Sequence, residues 1–362
     1  MDHFHEIAII GMGLIGGSIA LALKKSGYTG KIIGYDLCNV SLEKAQSMGA
    51  IDGAATDIEE VVAKADLVVL AVPVGHYPKI LHRITPFIKK ETVVTDVGSV
   101  KGYVVKAAEQ HLSKDIQFIG GHPMAGSEKD GIQAASPYLY ENAYYFLTPT
   151  ENTLPETIVK LRSFIKALGA YPILIDPYEH DRVVAQISHI PHLTATMLVN
   201  MLDKNQDTSY LSFVGGGFRD TTRIASGNPA MWKDIFIFNK KGILEGIQTL
   251  EDILKEFKHM LCTENEQEIL ETLKKAKSIR DEIPRRLKDA MPPIYEIMIN
   301  VEDRPGILGE LTQLMGKNKI NIKEIEIMHS REGEQGAIRL GFATEKEEGK
   351  ALHVLKSAGY LK

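Results

Sequence analysis

The segment GGHPMAGSE, residues 120–128, places a histidine between two glycines and a proline, with no room for regular helix or strand. Gly120 and Gly121 remove bulk from around the imidazole of His122, and Pro123 stiffens the backbone after it. An imidazole held in this way against a ligand can accept a proton near neutral pH, which favours a general base. A turn histidine that bonds only backbone is the structural alternative.

A serine stands in a second segment of this kind, TDVGSVKG, directly after an apolar run. Ligands of open α/β sheets gather at the carboxyl ends of the strands, so Ser99 and His122 are candidates for the same pocket. Ser99 could also be the N-cap of a helix that begins at Val100.

Three later segments, SHIPH, GGGFRDTTR and NPAMWKDI, carry further polar side chains. His189 and His192 are three residues apart and would share a helix face. No carboxylate or cysteine completes a metal-ligand set at a readable spacing, so we predict no metal site. Arg219 and Arg223 are four residues apart and could form a carboxylate clamp on one side of a helical turn. A surface ion-pair cluster with Asp220 explains them equally well.

The elements that must position these residues change character along the chain. From Glu6 to about Tyr171, apolar runs such as EIAIIG, KIIGYD and DLVVLAVP are separated by stretches of helical periodicity. This alternation predicts a parallel sheet covered on both faces. Residues 178–283 read as helices with apolar faces wide enough to be buried on more than one side, and we expect them to pack against a second subunit in a homodimer.

The proline-rich break IPRRLKDAMPP precedes a pattern of strand, helix, strand, strand and helix, with YLK as a possible last strand. This order predicts a small ferredoxin-like βαββαβ unit. The expected boundaries are a Rossmann-type dinucleotide-binding domain at 1–174, an all-α dimerisation domain at 175–285, a linker at 286–293 and the ferredoxin-like domain at 294–362.

A nucleotide site is predicted where the first strand meets the first helix. Gly11, Gly13 and Gly16 form a GxGxxG that allows a pyrophosphate to approach the helix N-terminus. Asp36 ends the next strand and can accept hydrogen bonds from ribose hydroxyls, although it could simply cap a turn. The following LCN offers no arginine for a 2′-phosphate, which favours NAD. The predicted cofactor-binding set is Gly11, Gly13, Leu14, Ile15, Gly16, Asp36, Val72 and Ser99.

Composition narrows the class of protein. The 362 residues are 44% hydrophobic and 25% charged, with a formal net charge of -5, which argues against disorder and against a basic nucleic-acid-binding surface. Cys38 and Cys262 have no CxxC spacing, so neither a disulfide framework nor a zinc site is indicated. No signal-like start and no bilayer-length apolar run is found, and we expect a cytoplasmic protein that acts on a small molecule.

Taken together, GLIGGS, DVGSVKG, GGHPMAGSE, SHIPH, GGGFRDTTRIA and MWKDI resemble, in order and approximate spacing, the motifs of prephenate dehydrogenases, over residues 6 to about 285. VEDRPGILGEL resembles the ligand-binding loop of ACT domains, which are regulatory ferredoxin-like modules. The resemblance implies NAD-dependent oxidative decarboxylation of prephenate to 4-hydroxyphenylpyruvate in tyrosine biosynthesis, with feedback inhibition by L-tyrosine through the ACT domain at 294–362.

The resemblance also implies roles for single residues. His122 matches the catalytic histidine, Ser99 the serine beside it and the nicotinamide, and Arg223 the substrate-binding arginine. The other implied substrate-binding residues are His189, His192, Arg219, Asp220, Trp232 and Glu128. The implied effector-binding residues are Asp303, Arg304, Pro305, Gly306, Ile307 and Leu308. Two alternatives are an arogenate dehydrogenase and a non-catalytic sensor of NAD and an amino acid, which would need neither Ser99 nor His122.

Overall fold

The computed structural model describes residues 3–126, 129–204, 208–283, 295–302, 304–328 and 335–361. These residues form two compact units, Met1–Ile269 and Leu270–Lys362. Within the described ranges, no helix is both long enough and apolar enough to cross a membrane.

The first unit is built on an eight-stranded sheet with the order β3-β2-β1-β4-β5-β6-β7-β8. Its strands are β1 Glu6–Ile10, β2 Lys31–Tyr35, β3 Gly53–Ala55, β4 Leu67–Leu70, β5 Val93–Asp96, β6 Gln117–Pro123, β7 Tyr144–Thr148 and β8 Tyr171–Leu174. Neighbouring strands run parallel except β6 and β7, which are antiparallel. Strand β1 lies between β2 and β4, so the direction in which successive strands are added to the sheet reverses between β1 and β4. At such a reversal the carboxyl ends of the two strands form a binding crevice.

Both faces of this sheet are covered, as the continuous apolar runs predicted. In β1, Ile7 and Ile9 belong to one hydrophobic core, while Ala8 and Ile10 belong to a second core on the opposite face. The helices that accompany the strands are α1 Leu14–Lys25, α2 Asn39–Ser47, α3 Ile58–Lys64, α4 Tyr77–Ile84, α5 Gly102–His111 and α6 Pro155–Ala167. The predicted Rossmann-type architecture is confirmed, with two strands, β7 and β8, added at one side that run antiparallel to the others.

After β8 the first unit is helical, as predicted. A π-helical turn at Ala185–His189 joins two α-helices into one run, and a 3₁₀ turn at Arg223–Ser226 follows a short helix. The helices are α7 Pro177–Val184, α8 Ile190–Lys204, α9 Gly216–Thr222, α10 Pro229–Phe238 and α11 Lys240–Cys262, and α12 Glu266–Glu282 follows them. Helix α7 packs against α5 and β7, which brings the helical part against the carboxyl end of the sheet.

The second unit contains an antiparallel sheet of order β10-β11-β9 and two helices. Its elements are β9 Tyr295–Glu302, α13 Ile307–Lys317, β10 Glu324–Met328, β11 Gln335–Phe342 and α14 Glu345–Ser357. Ile299, Leu311 and Leu340 share its core. The predicted strand, helix, strand, strand, helix order is therefore present. Tyr360 and Leu361, from the possible last strand, pack against this core without strand pairing among the described residues.

Candidate active site

The glycine-rich turn between β1 and α1 is shaped by two close backbone approaches. Gly11 has a φ of +104°, and a β carbon on it would lie 2.3 Å from the carbonyl oxygen of Ala71. A β carbon on Gly16 would lie 2.0 Å from the carbonyl oxygen of Gly11. In the described part of the chain, no atom comes within 4 Å of a β carbon built on Gly13, so this glycine borders open space. The turn therefore has room for a pyrophosphate at the start of α1.

The carboxylate of Asp36 ties the end of β2 to the same turn. One oxygen accepts a hydrogen bond from Met12 N at 2.7 Å, and the other accepts one from Cys38 N at 2.8 Å. The capping role that the sequence left open is thus observed. Each carboxylate oxygen has a further lone pair, so ribose hydroxyls can still bond it. Leu14 and Ile15 open α1, and Val72 lies beside Gly11, so these residues border the same turn, whose open space fits a dinucleotide.

Ser99 follows β5, and His122 lies near the end of the neighbouring parallel strand β6, with Thr95 of β5 paired to Ile119 of β6. They therefore lie at the same edge of the sheet, as predicted. Helix α5 begins at Gly102 with Lys101 at the N-cap position, so the predicted helix start at Val100 is wrong by two residues. Because Ser99 precedes that cap, it does not act as the helix N-cap.

His122 lies within strand β6, opposite Phe146 of β7, although the glycines and proline around it predicted an irregular stretch. Its side chain is 8% exposed, and its Nδ1 atom lies 2.8 Å from Nε2 of His180. Burial lowers the pKa of His122 well below its ordinary value, and electrostatic interactions with His180, Lys101 and His189 lower it further. The imidazole is therefore neutral near pH 7 and can act as a proton acceptor.

His180 and Asp181, on α7, were not identified from the sequence. Nδ1 of His180 lies 2.9 Å from Oδ1 of Asp181. Burial lowers the pKa of His180 strongly, so this contact is a hydrogen bond of a neutral imidazole rather than an ion pair. A histidine next to an aspartate in PYEHDR was the local feature that could have suggested a functional pair. Nothing in the sequence connects that pair to His122, 58 residues away.

A buried ion pair supports the strand that carries His122. Lys101 and Asp96 are fully buried, and Nζ of Lys101 donates to Oδ2 of Asp96 and, at 2.7 Å, to the carbonyl oxygen of Gly121. Oδ1 of Asp96 accepts a hydrogen bond from Gly121 N at 2.9 Å. Burial raises the pKa of Asp96 and lowers that of Lys101, while the attraction between the two charges opposes both shifts. Sequence analysis missed both residues although they lie in the motif that contains Ser99.

The predicted pair His189 and His192 meets Trp232. The indole is stacked on His192, with ring centroids 3.5 Å apart, and meets His189 edge to face at 6.0 Å. Nδ2 of Asn239 donates to the carbonyl oxygen of Asp181 at 2.8 Å and lies 3.1 Å from Nδ1 of His189. Among the described residues, Nε2 of His189 and Nδ1 of His192 are buried without a hydrogen-bond partner. Such atoms can bond a polar ligand or an ordered water.

Arg219 lies on α9 and Arg223 begins the 3₁₀ turn that follows, so the two arginines share one helical run as predicted. Both side chains are exposed, as is that of Asp220. Gly227 follows the 3₁₀ turn, and a β carbon on it would lie 2.6 Å from Nε1 of Trp232. Arg223 therefore precedes by four positions in the sequence a glycine, Gly227, that borders the cluster of His189, His192 and Trp232. Glu128 lies outside the described residues.

The predicted effector loop joins β9 to α13. Arg304 donates to both carboxylate oxygens of Glu310, at 2.8 and 2.7 Å. Gly306 has a φ of +93° and stands at the N-cap position of α13. Ile307 is buried in the core and Leu308 packs against it. Asp303 lies outside the described residues.

Comparison with known proteins gives consistent matches along the chain. Family models match at residues 19–174 (prephenate dehydrogenase, nucleotide-binding domain), 176–275 (prephenate dehydrogenase, dimerization domain) and 295–356 (ACT domain). The chain is 38% identical over 348 residues to the prephenate dehydrogenase of Bacillus subtilis, covering 95% of this chain and 94% of that protein. It is 36% identical over 358 residues to the prephenate dehydrogenase of Lactococcus lactis, covering 98% of each.

Solved structures agree. Prephenate dehydrogenase from Aquifex aeolicus, in complex with hydroxyphenyl propionate and NAD+, superposes with a TM-score of 0.73 at 36% identity, covering 77% of this chain and 98% of that one. Arogenate dehydrogenase from Synechocystis superposes with a TM-score of 0.67 at 32% identity, covering 77% of this chain and all of that one.

Proposed function

The chain belongs to the prephenate dehydrogenase family and is an NAD-dependent enzyme, and from this we propose that it converts prephenate to 4-hydroxyphenylpyruvate with His122 as the base. The observation that carries the proposal is a buried, neutral imidazole at the carboxyl edge of the parallel strands, the edge that also carries a glycine turn with room for a dinucleotide. The sensor alternative would have no use for such a base.

The chemistry of prephenate matches the groups around the pocket. Its ring carries an alcohol at C4 and a carboxylate at C1, and its side chain ends in a second carboxylate. When bound, NAD accepts the hydride from C4. His122 accepts the proton of the alcohol as this C–H bond breaks, so that the C4 oxygen becomes a carbonyl. The bond between C1 and its carboxylate then breaks and CO2 leaves. The electron pair moves through the ring to the C4 oxygen, which takes back the proton from His122 to give the aromatic phenol.

The remaining predicted residues have roles of alignment and charge pairing in this proposal. Arg223, with Arg219 nearby, pairs with a substrate carboxylate, and Ser99 bonds the reacting end of the pocket. The partnerless nitrogens of His189 and His192 support further polar contacts with substrate. Trp232 supplies the apolar wall for the ring.

A single assay tests the activity. Purified protein with NAD and prephenate should produce NADH, followed by absorbance, together with 4-hydroxyphenylpyruvate. Arogenate, which carries an amino group in place of the side-chain keto group, serves as the competing substrate and should give a lower kcat/KM. An absence of NADH formation with both substrates would refute the proposed function, and a preference for arogenate would refute the proposed substrate.

We further propose that the enzyme is a homodimer whose subunits meet through their helical parts. We keep the domain boundaries predicted from the sequence as a separate proposal. Support comes from the described side chains of helices α8, α10 and α11, where apolar residues lie largely exposed in one chain: Met197, Val199, Met201, Ile237, Leu244, Ile253, Leu254 and Leu261. An exposed apolar surface of this extent marks an interaction site. Light scattering should give twice the chain mass at micromolar concentration, and a stable active monomer would refute the dimer.

L-Tyrosine is the proposed effector of the C-terminal ACT domain. It is one transamination beyond the product, so an inhibitor site for it would close a feedback loop. The strand-to-helix turn at Gly306 supports the proposal because a glycine with a positive φ has no side chain to cover the backbone groups around it.

We propose the cytoplasm as the compartment, because a biosynthetic enzyme that uses NAD would find its cofactor there. Fractionation of cells would test this.

A further inference from the structure

We propose that His180 and Asp181 are positioning residues that hold the proton of neutral His122 on Nδ1 and so present a bare Nε2 to the substrate, an inference that rests on the role of His122 proposed above. The three side chains form a line of hydrogen bonds that begins at a carboxylate and ends at the base. None of the sequence motifs assigns a role to His180 or Asp181.

Two backbone N–H groups that donate to Asp181 determine which atom donates in each hydrogen bond of the line. Oδ1 of Asp181 accepts a hydrogen bond from Lys101 N at 2.7 Å, and Oδ2 accepts one from Gly102 N at 2.9 Å. Backbone N–H groups can only donate, so both oxygens act as acceptors. Burial raises the pKa of Asp181, but these two bonds and the charge of Lys101 oppose that shift and stabilise the ionised carboxylate. Nδ1 of His180, 2.9 Å from Oδ1, therefore carries a proton and donates it.

The proton positions of the two imidazoles follow from this start. A neutral imidazole carries one proton, so a proton on Nδ1 of His180 leaves its Nε2 as an acceptor. Nδ1 of His122 lies 2.8 Å from that acceptor and must donate. The single proton of neutral His122 is then on Nδ1, and its Nε2 has a free lone pair. The base is ready to accept a proton without a prior tautomeric change.

The surroundings keep the line in place. His180 is fully buried and meets Phe146 edge to face, with ring centroids 5.4 Å apart and planes at 83°. The carbonyl oxygen of Asp181 accepts a hydrogen bond from Asn239. The charged or titratable groups that face the two imidazoles are Lys101, paired with Asp96, and His189 on the π turn. Burial is the main reason that both imidazoles stay neutral, and the charge of Lys101 adds to it because a second positive charge here would be repelled. The carboxylate of Asp181 acts in the opposite sense on His180.

Two substitutions of His180 in the full-length enzyme test the positioning role. His180→Leu removes the acceptor for Nδ1 of His122, and we expect kcat with prephenate to fall on the order of 10²-fold or more, with KM changed less than about threefold. His180→Gln offers an amide oxygen as acceptor, and its kcat should be at least about tenfold higher than that of His180→Leu. NAD binding and thermal unfolding of both variants show whether they are folded. A folded Leu variant with wild-type kcat would overturn the proposal.

Asp181→Asn tests the direction of the line. In either orientation its amide nitrogen faces a backbone N–H and loses that hydrogen bond. When the nitrogen lies beside His180, it also donates to Nδ1 and favours the opposite tautomer in both imidazoles. We expect a fall in kcat comparable to that of His180→Leu. A folded Asn variant with unchanged kcat would contradict the assignment.

A measurement on the wild-type enzyme is independent of how the variants fold. ¹⁵N NMR of protein labelled at histidine distinguishes the two neutral tautomers, and the His122 signals are assigned by their loss in His122→Asn. The Nδ1–H tautomer is expected at pH 7.5, and a dominant Nε2–H tautomer would overturn the proposal. Failure of the wild-type enzyme to oxidise prephenate would instead refute the proposed function, and the tautomer would still be read from the spectrum.

Discussion

The imidazole of His192 lies parallel to the indole of Trp232, with ring centroids 3.5 Å apart and planes 12° apart. Trp232 is the only tryptophan in the chain, so all indole fluorescence comes from this cluster. One nitrogen of the stacked imidazole is buried without a partner among the described residues. The cluster therefore joins a spectroscopic probe to a polar group that we expect the substrate to contact.

We expect 4-hydroxyphenylpyruvate to change the emission of Trp232 when it is titrated into the enzyme with NADH present. The bound ring would replace water around the indole, which alters its emission. Trp232→Phe is the control and should give no signal. Saturable inhibition by the product without any change in tryptophan emission would place the product elsewhere.

The pH dependence of turnover should report the environment of His122. The base must be unprotonated to act, and burial lowers its pKa well below 6.5. Accordingly, kcat/KM should stay level as the pH falls through 6.5 and decline only at lower pH, where an ordinary histidine would already have lost activity. His122→Asn should remove this limb and lower kcat by about 10²- to 10⁴-fold. Near-normal kcat in the folded Asn variant would exclude His122 as the base.

Arg223→Ala should chiefly weaken the binding of prephenate. A substrate carboxylate that loses a charged hydrogen-bond partner loses about 2 kcal/mol, or about 30-fold in KM. Arg162→Ala, an exposed arginine on α6, is the matched control and should leave KM unchanged. Steady-state kinetics at saturating NAD measure both. An unchanged KM in Arg223→Ala would refute the assigned role.

Lys101→Met should destabilise the first unit strongly. It leaves the carboxylate of Asp96 buried without a counter-charge, which costs about 3–5 kcal/mol. Lys90→Met removes an exposed ion pair with Asp115 and should have little effect. Urea unfolding followed by Trp232 fluorescence compares the two. Equal stability of both variants would show that the buried pair is dispensable.

Gly306→Val tests the effector site in the full chain. Valine is strained at a φ of +93°, so the turn before α13 must change. Turnover should be retained while inhibition by L-tyrosine is largely lost, and truncation after Arg286 should have the same effect. Gly349→Val, on an exposed helix surface, is the control and should keep the inhibition. Full inhibition in both altered proteins would place tyrosine in the catalytic pocket.

Local features of the site were predictable because their cause is local. The GxGxxG turn, the strand that ends at Asp36 and the strand-to-helix turn at Gly306 each need specific residues at neighbouring positions. The relation between Ser99 and His122 also followed, since carboxyl ends of parallel strands share one edge.

Contacts between distant segments were not predictable. The partner of His122 comes from a helix 58 residues later, and no periodicity records that pairing. The buried pair of Lys101 and Asp96 escaped notice because a lysine near a helix start is usually exposed. The helix start at Gly102, two residues beyond the predicted one, was also missed. His122 is in a strand because β7 pairs with it from the other side.

The π turn at Ala185–His189 makes chain length a determinant of the pocket. Such a turn holds one residue more than an α-helix would, and each residue turns the helix by about 100°. The wide turn absorbs that residue, so His192 stays on the face of Trp232 while His180 stays beside His122. The same extra residue in an unbroken α-helix would rotate everything after it by that angle relative to α7, and His192 would leave Trp232. The number of residues in this turn therefore sets the alignment between proton transfer and substrate recognition.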